Sequence, residues 1–178
     1  MALVKHGTLQ SDSWVRIEND SLPLGRPLLL TWAEWQRLAG TLRHWDQPLG
    51  LLLQGGDSLE ELRPHLDRFQ LIALDFPKFT DGRAYSQARL LRRRYGFTGE
   101  LRAVGNVLQD QFLNMHRCGF DSYEVADETA AEAWLAATAR YQGFYQKAEQ
   151  GARQDRDAVL SPHVAFAGEQ PAAGSWAY

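Results

Sequence analysis

The chain has 178 residues, 44% of them hydrophobic and 23% charged, a composition that indicates an ordinary globular protein and excludes a disordered or fibrous one. Its single cysteine excludes a disulfide framework and any cysteine-rich zinc or iron–sulfur site. The sequence contains no apolar run long enough to cross a membrane and no signal-peptide core near its start, so we expect a cytoplasmic protein. We expect a single domain over residues 1–150 and an extended tail over residues 151–178.

The net charge of −3 is distributed unevenly along the chain. Residues 1–80 carry a net −2, residues 81–117 a net +4, and residues 118–178 a net −5. Sixteen of the 19 basic residues are arginine, whose planar guanidinium suits carboxylate, sulfate or phosphate groups. The basic middle segment indicates an anion site or a face that docks on an acidic partner, and the alternative is a solvated helix face without a ligand.

The predicted elements begin weakly and become regular after residue 48. WVRIE (14–18) and PLLLTW (27–32) are strand candidates, the second leading into a helix through Trp45. From there the periodicity predicts strands over 49–54, 71–76, 100–105 and 122–125, alternating with helices that start near Asp57 and run over 82–95, 107–117 and 128–150. This alternation predicts an α/β fold with four to five mostly parallel strands. The strand order stays open between a partial barrel-like sheet and an open flavodoxin-like sheet.

In parallel α/β folds, ligands bind at the carboxyl ends of the strands, where loops lead into helices. The polar and glycine residues behind the four predicted strands therefore form the expected mouth of a site. They are Gln54, Gly55, Gly56 and Asp57 after the first strand, Asp75, Lys78, Thr80, Asp81 and Arg83 after the second, Gly105, Asn106 and Asp110 after the third, and Glu124 and Asp127 after the fourth.

The segment FPKFTDGRAYSQARLL (76–91) is the densest part of this mouth. Gly82 permits a tight turn before a helix and Arg83 adds a bidentate guanidinium, so the segment predicts a sulfate or phosphate site. Alternatively, Asp81 caps the helix or pairs with Arg83 or Lys78, and the turn is purely structural. The candidate acid/base residues are Asp75, Asp81 and Asp110, and the candidate anion-binding residues are Lys78, Gly82, Arg83, Arg102 and Asn106.

Other kinds of site find little support in the sequence. We expect Cys118 to be a small buried core residue, since a lone cysteine usually behaves as a small hydrophobic residue. A catalytic pair with His116 is not expected, because neighbouring residues in a helix point to different faces. The histidines show no metal-ligand spacing, and no glycine-rich nucleotide loop or Gly-x-Ser-x-Gly motif occurs, so we expect no metal and no cofactor. A pI near 5.9 argues against nucleic-acid binding.

Residues 76–123 resemble the core of a bacterial family, domain of unknown function nine-three-four, whose members are often labelled oxidoreductases of sulfite reduction. The stretches that carry the resemblance are Phe76-Pro77-Lys78-Phe79, Asp81-Gly82-Arg83, Ser86 with Arg89 and Leu91-Arg92, Gly99 to Gly105, Asp110-Gln111, and Arg117 to Asp121. The resemblance implies an accessory protein encoded with assimilatory sulfite reductase. The implied partner is sulfite reductase or another enzyme of sulfate assimilation, and the resemblance carries over no catalytic residue.

Three functional hypotheses result. The first is an accessory protein of assimilatory sulfite or sulfate reduction that acts by partner contact or anion binding. The second is a stand-alone α/β enzyme acting on a small molecule that bears a sulfate or phosphate group. The third is a scaffold that uses the basic helix face over 89–94 and the aromatic tail with Trp176 and Tyr178. The sequence leaves open whether the chain is an enzyme and what its oligomeric state is.

Overall fold

The computed structural model describes residues 2–5, 7–17, 22–23, 25–78, 80–126 and 128–140, and the tail expected over residues 151–178 lies outside them. These residues form a mixed α/β fold with eight strands and five α-helices, which confirms the predicted class. The strands are β1 (Ala2–Lys5), β2 (Thr8–Gln10), β3 (Val15–Arg16), β4 (Leu28–Thr31), β5 (Leu49–Leu53), β6 (Phe69–Phe76), β7 (Glu100–Gly105) and β8 (Ser122–Val125).

All the described strands belong to one sheet, in the order β2-β1-β8-β7-β6-β5-β4-β3. From β3 to β8, neighbours along the chain are also neighbours in the sheet and run parallel, whereas β1 is antiparallel to both β8 and β2. This sequential order produces a curled half-barrel, the first of the two sheet arrangements considered from the sequence.

The eight strands exceed the four to five that the sequence predicts, and the difference lies at the N-terminal end. β3 and β4 lie within the two strand candidates over residues 14–18 and 27–32, so the strands that were not predicted are β1 and β2. β2 is exposed along its whole length and does not show the apolar alternation of a half-buried strand. β1 pairs with β8, more than a hundred residues away, at Leu3 with Glu124 and Val4 with Tyr123. Local periodicity carries no signal for such a distant partner.

The helices are α1 (Trp32–Leu38), α2 (Leu59–Leu62), α3 (Arg83–Arg89), α4 (Phe112–Arg117) and α5 (Glu128–Arg140). α1 begins with a capping box, in which Thr31 and Glu34 each accept a backbone N–H of the other. α2 continues as a 3₁₀ helix over Arg63–Arg68, since Pro64 lacks the N–H that an α-helix needs. α3 continues as a π-helical turn over Leu90–Arg94. No helix in the described part of the chain is long and apolar enough to span a membrane.

Successive strand residues point to opposite faces of the sheet, and each face has its own core. One face is covered by the helices and packs residues such as Leu51, Ile72 and Leu101 with Trp35 and Trp134. The other face holds a smaller cluster, formed by Leu29, Leu71, Ala73 and Val104 with the partly buried Trp14 and Leu52.

The sheet curls toward the face with the smaller cluster. β3 and β8 are separated in the sheet by four other strands, yet Nη2 of Arg16 on β3 lies 3.7 Å from Oε2 of Glu124 on β8. An ion pair between the two ends of the parallel segment requires a concave surface between them. The helix-free face is therefore the concave face of the half-barrel.

Candidate functional site

Three parallel strands, β5, β6 and β7, end side by side, and the loops behind them form the expected mouth. After β5, Oδ2 of Asp57 accepts the amide N–H of Gln54 at 2.7 Å, and the Asp57 amide donates to the Gln54 carbonyl at 3.1 Å. After β7, the amide of Asn106 donates to the carbonyl of Phe76 at 2.7 Å. The mouth is built from short loops that are hydrogen-bonded internally and to each other.

Asp81 and Arg83 lie together at this mouth, where α3 begins. Oδ1 of Asp81 accepts the amide N–H of Arg83 at 3.1 Å and its Nε–H at 2.9 Å, and Oδ2 accepts from Nη2 at 2.6 Å. The guanidinium lies against Gly55, where a Cβ would come within 2.6 Å of Nε. Arg83 is thus positioned by two loops while its side chain stays 60% exposed.

This pairing determines which chemistry Asp81 is able to perform. Side-chain and backbone hydrogen bonds from Arg83 lower the pKa of Asp81 to about 2, so the carboxyl carries no proton at neutral pH. Its carboxylate also accepts the first amide N–H of α3, as in the alternative in which Asp81 caps the helix or pairs with Arg83. The geometry presents a positioned guanidinium rather than a free helix terminus.

Asp75 stands next to last in β6 and shares the concave face with Leu71 and Ala73. Its Oδ1 lies against Gly105, where a Cβ would be 2.6 Å away. Burial raises the pKa of Asp75, the charge of Asp81 adds to this, and the charge of Arg16 opposes it. Asp75 therefore holds its proton more strongly than a carboxyl in water, which is the property that a general acid uses.

Three other predicted anion-binding residues surround the mouth. Lys78 and Asn106 are exposed, and Gly82 is the exposed residue directly before α3. The carbonyl of Lys78 accepts the amide N–H of Asp81 at 3.0 Å, which closes the turn between β6 and α3. These three exposed residues thus lie in the loops that follow β6 and β7, at the rim of the mouth.

The charge of the third candidate carboxylate, Asp110, acts on Tyr85 rather than on Asp75. Asp110 stands in a 3₁₀ turn before α4, where its charge adds to the burial that raises the pKa of Tyr85. The charges acting on Asp75 are those of Arg16 and Asp81. The structure thus brings Asp75 and Asp81 together and leaves Asp110 near Tyr85.

Arg102 lies within β7 on the concave face, and its side chain is only 2% exposed. Nη1 donates to Asp12 at 2.8 Å, and Nε and Nη2 donate to Glu100 at 3.1 and 3.0 Å. Glu100 also accepts from Ser122 and Lys5. Burial acts to raise the pKa of Glu100, but these hydrogen bonds and charges outweigh it and lower the pKa. Arg102 belongs to an internal charge network rather than to the mouth.

Sequence reasoning did not identify the ion pair between Arg92 and Asp121, which is the most deeply buried one among the residues that the structure describes. Their side chains are 0% and 3% exposed, with Nη2 and Oδ2 2.6 Å apart. The sequence does contain a signal that Arg92 is buried, since it follows Ala84 and Ala88 at four-residue intervals on the buried side of the helix. Arg92 also donates to the carbonyls of Phe97, Gly99 and Gly119, and Asp121 accepts the amide N–H of Leu101.

The Arg92–Asp121 pair gives a structural role to several residues of the stretches that carry the family resemblance. Arg92, Gly99, Gly119 and Asp121 all fall within the stretches that carry it. Gly119 has φ +98°, and a Cβ there would come within 2.7 Å of the Arg92 side chain. These residues join the end of α3 to β7 and β8 and therefore have a structural role.

The outer side of α3 and of its π-helical turn carries a basic surface, named the arginine face below. Its residues are exposed to solvent: Arg83, Ser86, Arg89, Leu90, Arg93 and Arg94. Leu90, at 38%, is one of the exposed large hydrophobic residues of the described chain. Arg94 lies 3.3 Å from Glu60, with both side chains more than half exposed.

The remaining predictions concern cysteine and metal sites. Cys118 is 1% exposed and packs in the helix-covered core, as expected. Among the residues that the structure describes, no group of three or more histidine, cysteine, aspartate or glutamate side chains is placed to hold a metal ion.

A comparison with protein families finds one match, over residues 50–155, to the model described as a bacterial protein of unknown function, DUF934. No curated protein matches the chain. The matched region begins in β5, extends past the described end of α5, and includes the mouth, the arginine face and the Arg92–Asp121 pair. Since the match covers more than half of the sequence, the chain belongs to the bacterial DUF934 family.

Proposed function

We propose that the chain is an accessory protein of assimilatory sulfite reduction that contacts a partner enzyme through the arginine face. The link to sulfite reduction rests on the label that members of the family often carry, as given with the resemblance above, whereas the description of the matched family model states no function. The observation that carries the contact mode is the exposure of Arg89, Leu90 and Arg93 on one side of a helix that is firmly packed on its other side.

The composition of this face suits a protein interface. Arginine is enriched at interfaces and frequently among the residues that dominate binding energy, and an apolar side chain among arginines supplies area that excludes water. Leu90 has that position between Arg89 and the arginines of the π-helical turn. The expected partner surface is acidic, which would accelerate association through long-range attraction and make it sensitive to salt.

The charged residues within the stretches that resemble the family favour a role in partner contact over a role in catalysis. Arg92 and Asp121 are buried with each other, and Arg102 is buried with Glu100 and Asp12. Each of these charges has its partners within the protein, so the fold alone accounts for them. The basic residues of segment 81–117 that are exposed to solvent, Arg83, Arg89, Arg93 and Arg94, all belong to the arginine face.

Complementation of a deletion strain tests this proposal. The strain lacking the gene is expected to grow poorly with sulfate as the sulfur source, and the wild-type gene is expected to restore growth and sulfite reductase activity. Arg89→Glu should fail to restore them, whereas Arg26→Glu, which reverses another exposed arginine outside the family match, should succeed. Normal growth of the deletion strain on sulfate would contradict the proposal.

A second candidate is an enzyme or binding protein for a sulfate- or phosphate-bearing small molecule at the mouth. It is favoured by one arrangement, in which Asp75 with its raised pKa stands near the charges of Arg16 and Asp81, and Asp81 in turn holds the guanidinium of Arg83. Arg83 would hold the anionic group and Asp75 would transfer a proton. Lys78, Gly82 and Asn106 would form the rim of such a site.

Inorganic sulfate is the simplest probe of that candidate. Sulfate at about 10 mM should shift the NMR signal of Arg83 Nε–H in the wild-type protein if the mouth binds oxyanions with a Kd in the millimolar range. In Arg83→Gln, sulfate should no longer shift the amide signals of the residues next to position 83. In Arg89→Gln, a control on the same helix, the sulfate-induced shifts should equal those of the wild type. A wild-type spectrum that does not respond to sulfate would exclude an oxyanion site there.

A further inference from the structure

An open pocket of about 210 Å³ lies on the concave face, away from the arginine face. It is found where β1 and β8 approach β3 across the curl of the sheet. Pockets for drug-sized ligands have volumes of about 300–1,000 Å³, so this one suits a molecule of amino-acid size. Its lining consists of two apolar residues and three charged ones: Ala2, Leu3, Asp12, Arg16 and Glu124.

Glu124 brings unused acceptor capacity to the pocket. Its side chain is only 14% exposed, and among the described residues its charged contact is Arg16, with 3.7 Å between Nη2 and Oε2. That distance is longer than a hydrogen bond, and a carboxylate has about four acceptor positions. A largely buried carboxylate in this state is suited to accept hydrogen bonds from a bound ammonium group.

Arg16 is the complementary group on the opposite wall. Its side chain is 56% exposed and its ion pair with Glu124 is loose, so the guanidinium is free to turn toward a ligand. A guanidinium binds a carboxylate through two parallel hydrogen bonds. Arg16 and Glu124 thus offer one anion-binding and one cation-binding group, and a small ligand would enter between them as the exposed guanidinium turns away from the carboxylate.

The wall between them is rigid. Asp12 accepts the amide N–H of Trp14 at 3.1 Å and the Nη1–H of Arg102 at 2.8 Å. Arg102 is in turn held by Glu100, with its side chain 2% exposed. Asp12 is therefore a fixed carboxylate at the pocket edge, and its charge is balanced from below by Arg102.

The charge balance selects the class of ligand. A simple cation on Glu124 would lie beside the like charge of Arg16, which is itself exposed to water. A simple anion would occupy Arg16 and leave the mostly buried Glu124 without its counter-ion. A buried charge without a partner is costly. A zwitterion replaces the loose pair by two close pairs and leaves neither group alone.

We propose that this pocket binds a small free amino acid, with its ammonium group on Glu124 and its carboxylate on Arg16. The edge of Asp12 faces the ammonium side, and the side chain of the ligand rests against Ala2 and Leu3. The site is separate from the proposed partner contact, so each stands or falls without the other.

NMR titration of the full chain with L-alanine tests the proposal, with acetate and methylammonium as matched half-ligands. L-Alanine should shift the amide signals of Leu3, Arg16 and Glu124 in a saturable way with a millimolar Kd, and each half-ligand should bind about tenfold more weakly or worse. No saturable shift with L-alanine at about 20 mM, or equal binding of acetate or methylammonium, would overturn the proposal.

Variants provide the second measurement. Glu124→Gln and Arg16→Gln should each weaken L-alanine binding by about tenfold or more, because each removes one of the two charge pairs. Glu61→Gln, which neutralises an exposed carboxylate on α2, should bind as the wild type does. Unchanged affinity in both pocket variants would overturn the assignment, and the half-ligand comparison on the wild-type protein remains decisive if a variant does not fold.

Discussion

Two buried arginines, Arg92 and Arg102, show how the sequence charge pattern differs from the surface charge. Both belong to the basic segment 81–117, and both are paired with carboxylates, of which Asp121 and Asp12 lie outside that segment. A net charge of +4 along the chain is therefore partly neutralised in three dimensions. What remains outward is the arginine face, which is why the proposed contact is assigned to it.

The Arg92–Asp121 pair yields a prediction about stability. Arg92→Lys should lower the free energy of unfolding by about 3–5 kcal/mol, because lysine is unable to reach Asp121 and the three carbonyls together and leaves a buried charge incompletely paired. Arg94→Lys, at an exposed pair with Glu60, should cost at most about 1 kcal/mol. Urea unfolding at neutral pH measures both. Equal effects of the two variants would contradict a structural role for Arg92.

Asp75 yields a prediction about pH. Its pKa is raised in the folded protein above the ordinary value of 3.8, so the folded state binds its proton more tightly than the unfolded chain does. Asp75 therefore reduces stability progressively as pH rises from about 3.8 through the raised pKa. Asp75→Asn should make the protein more stable than the wild type at pH 7.

The gain from Asp75→Asn should disappear near pH 3, where the carboxyl is protonated in both states. Urea unfolding of wild type and variant at the two pH values provides the comparison, and Asp46→Asn serves as an exposed control. Loss of stability at pH 7 would show that Asp75 makes a stabilising contact in its charged form. A carboxyl that lowers stability is typical of a group kept for function.

At the scale of elements, the strands were easier to predict than the helices. β7 and β8 have the predicted bounds, since short apolar runs between glycines or polar turns give clear limits. The helices contain departures from α-geometry that periodicity does not reveal. Pro64 converts the second half of one helix into 3₁₀ form, and the helix after Gly82 ends in a π-helical turn.

The turn after β7 carries the prediction at this scale. Gly105 has φ +88°, and a Cβ there would come within 2.6 Å of Oδ1 of Asp75 and 2.7 Å of the carbonyl of Phe76. Gly105→Ala should therefore destabilise the protein by about 1–3 kcal/mol and displace the Asp75 side chain. Gly56→Ala in the neighbouring turn meets no atom within 4 Å and should cost little. Thermal unfolding checks the pair, and equal melting temperatures would refute the expected strain.

At the scale of the molecule, the predicted α/β class and the barrel-like order follow from a simple rule, that sequential βα units place neighbours in the chain side by side. The N-terminal hairpin of β1 and β2 was not predicted from the sequence, because β1 is specified by its pairing with β8 rather than by its own hydrophobic pattern. The same limit applied to the sites. The mouth was predictable from strand ends, whereas the concave pocket depends on Arg16 meeting Glu124 across the curl.

The proposed contact between the arginine face and sulfite reductase is tested most directly by a binding measurement with the purified enzyme from the same bacterium. We predict measurable binding at about 50 mM salt that weakens at about 300 mM, since charged surfaces are screened. Arg89→Glu should weaken it about tenfold or more, and Arg26→Glu should not. Absence of binding at low salt, or equal binding by Arg89→Glu and the wild type, would contradict the account.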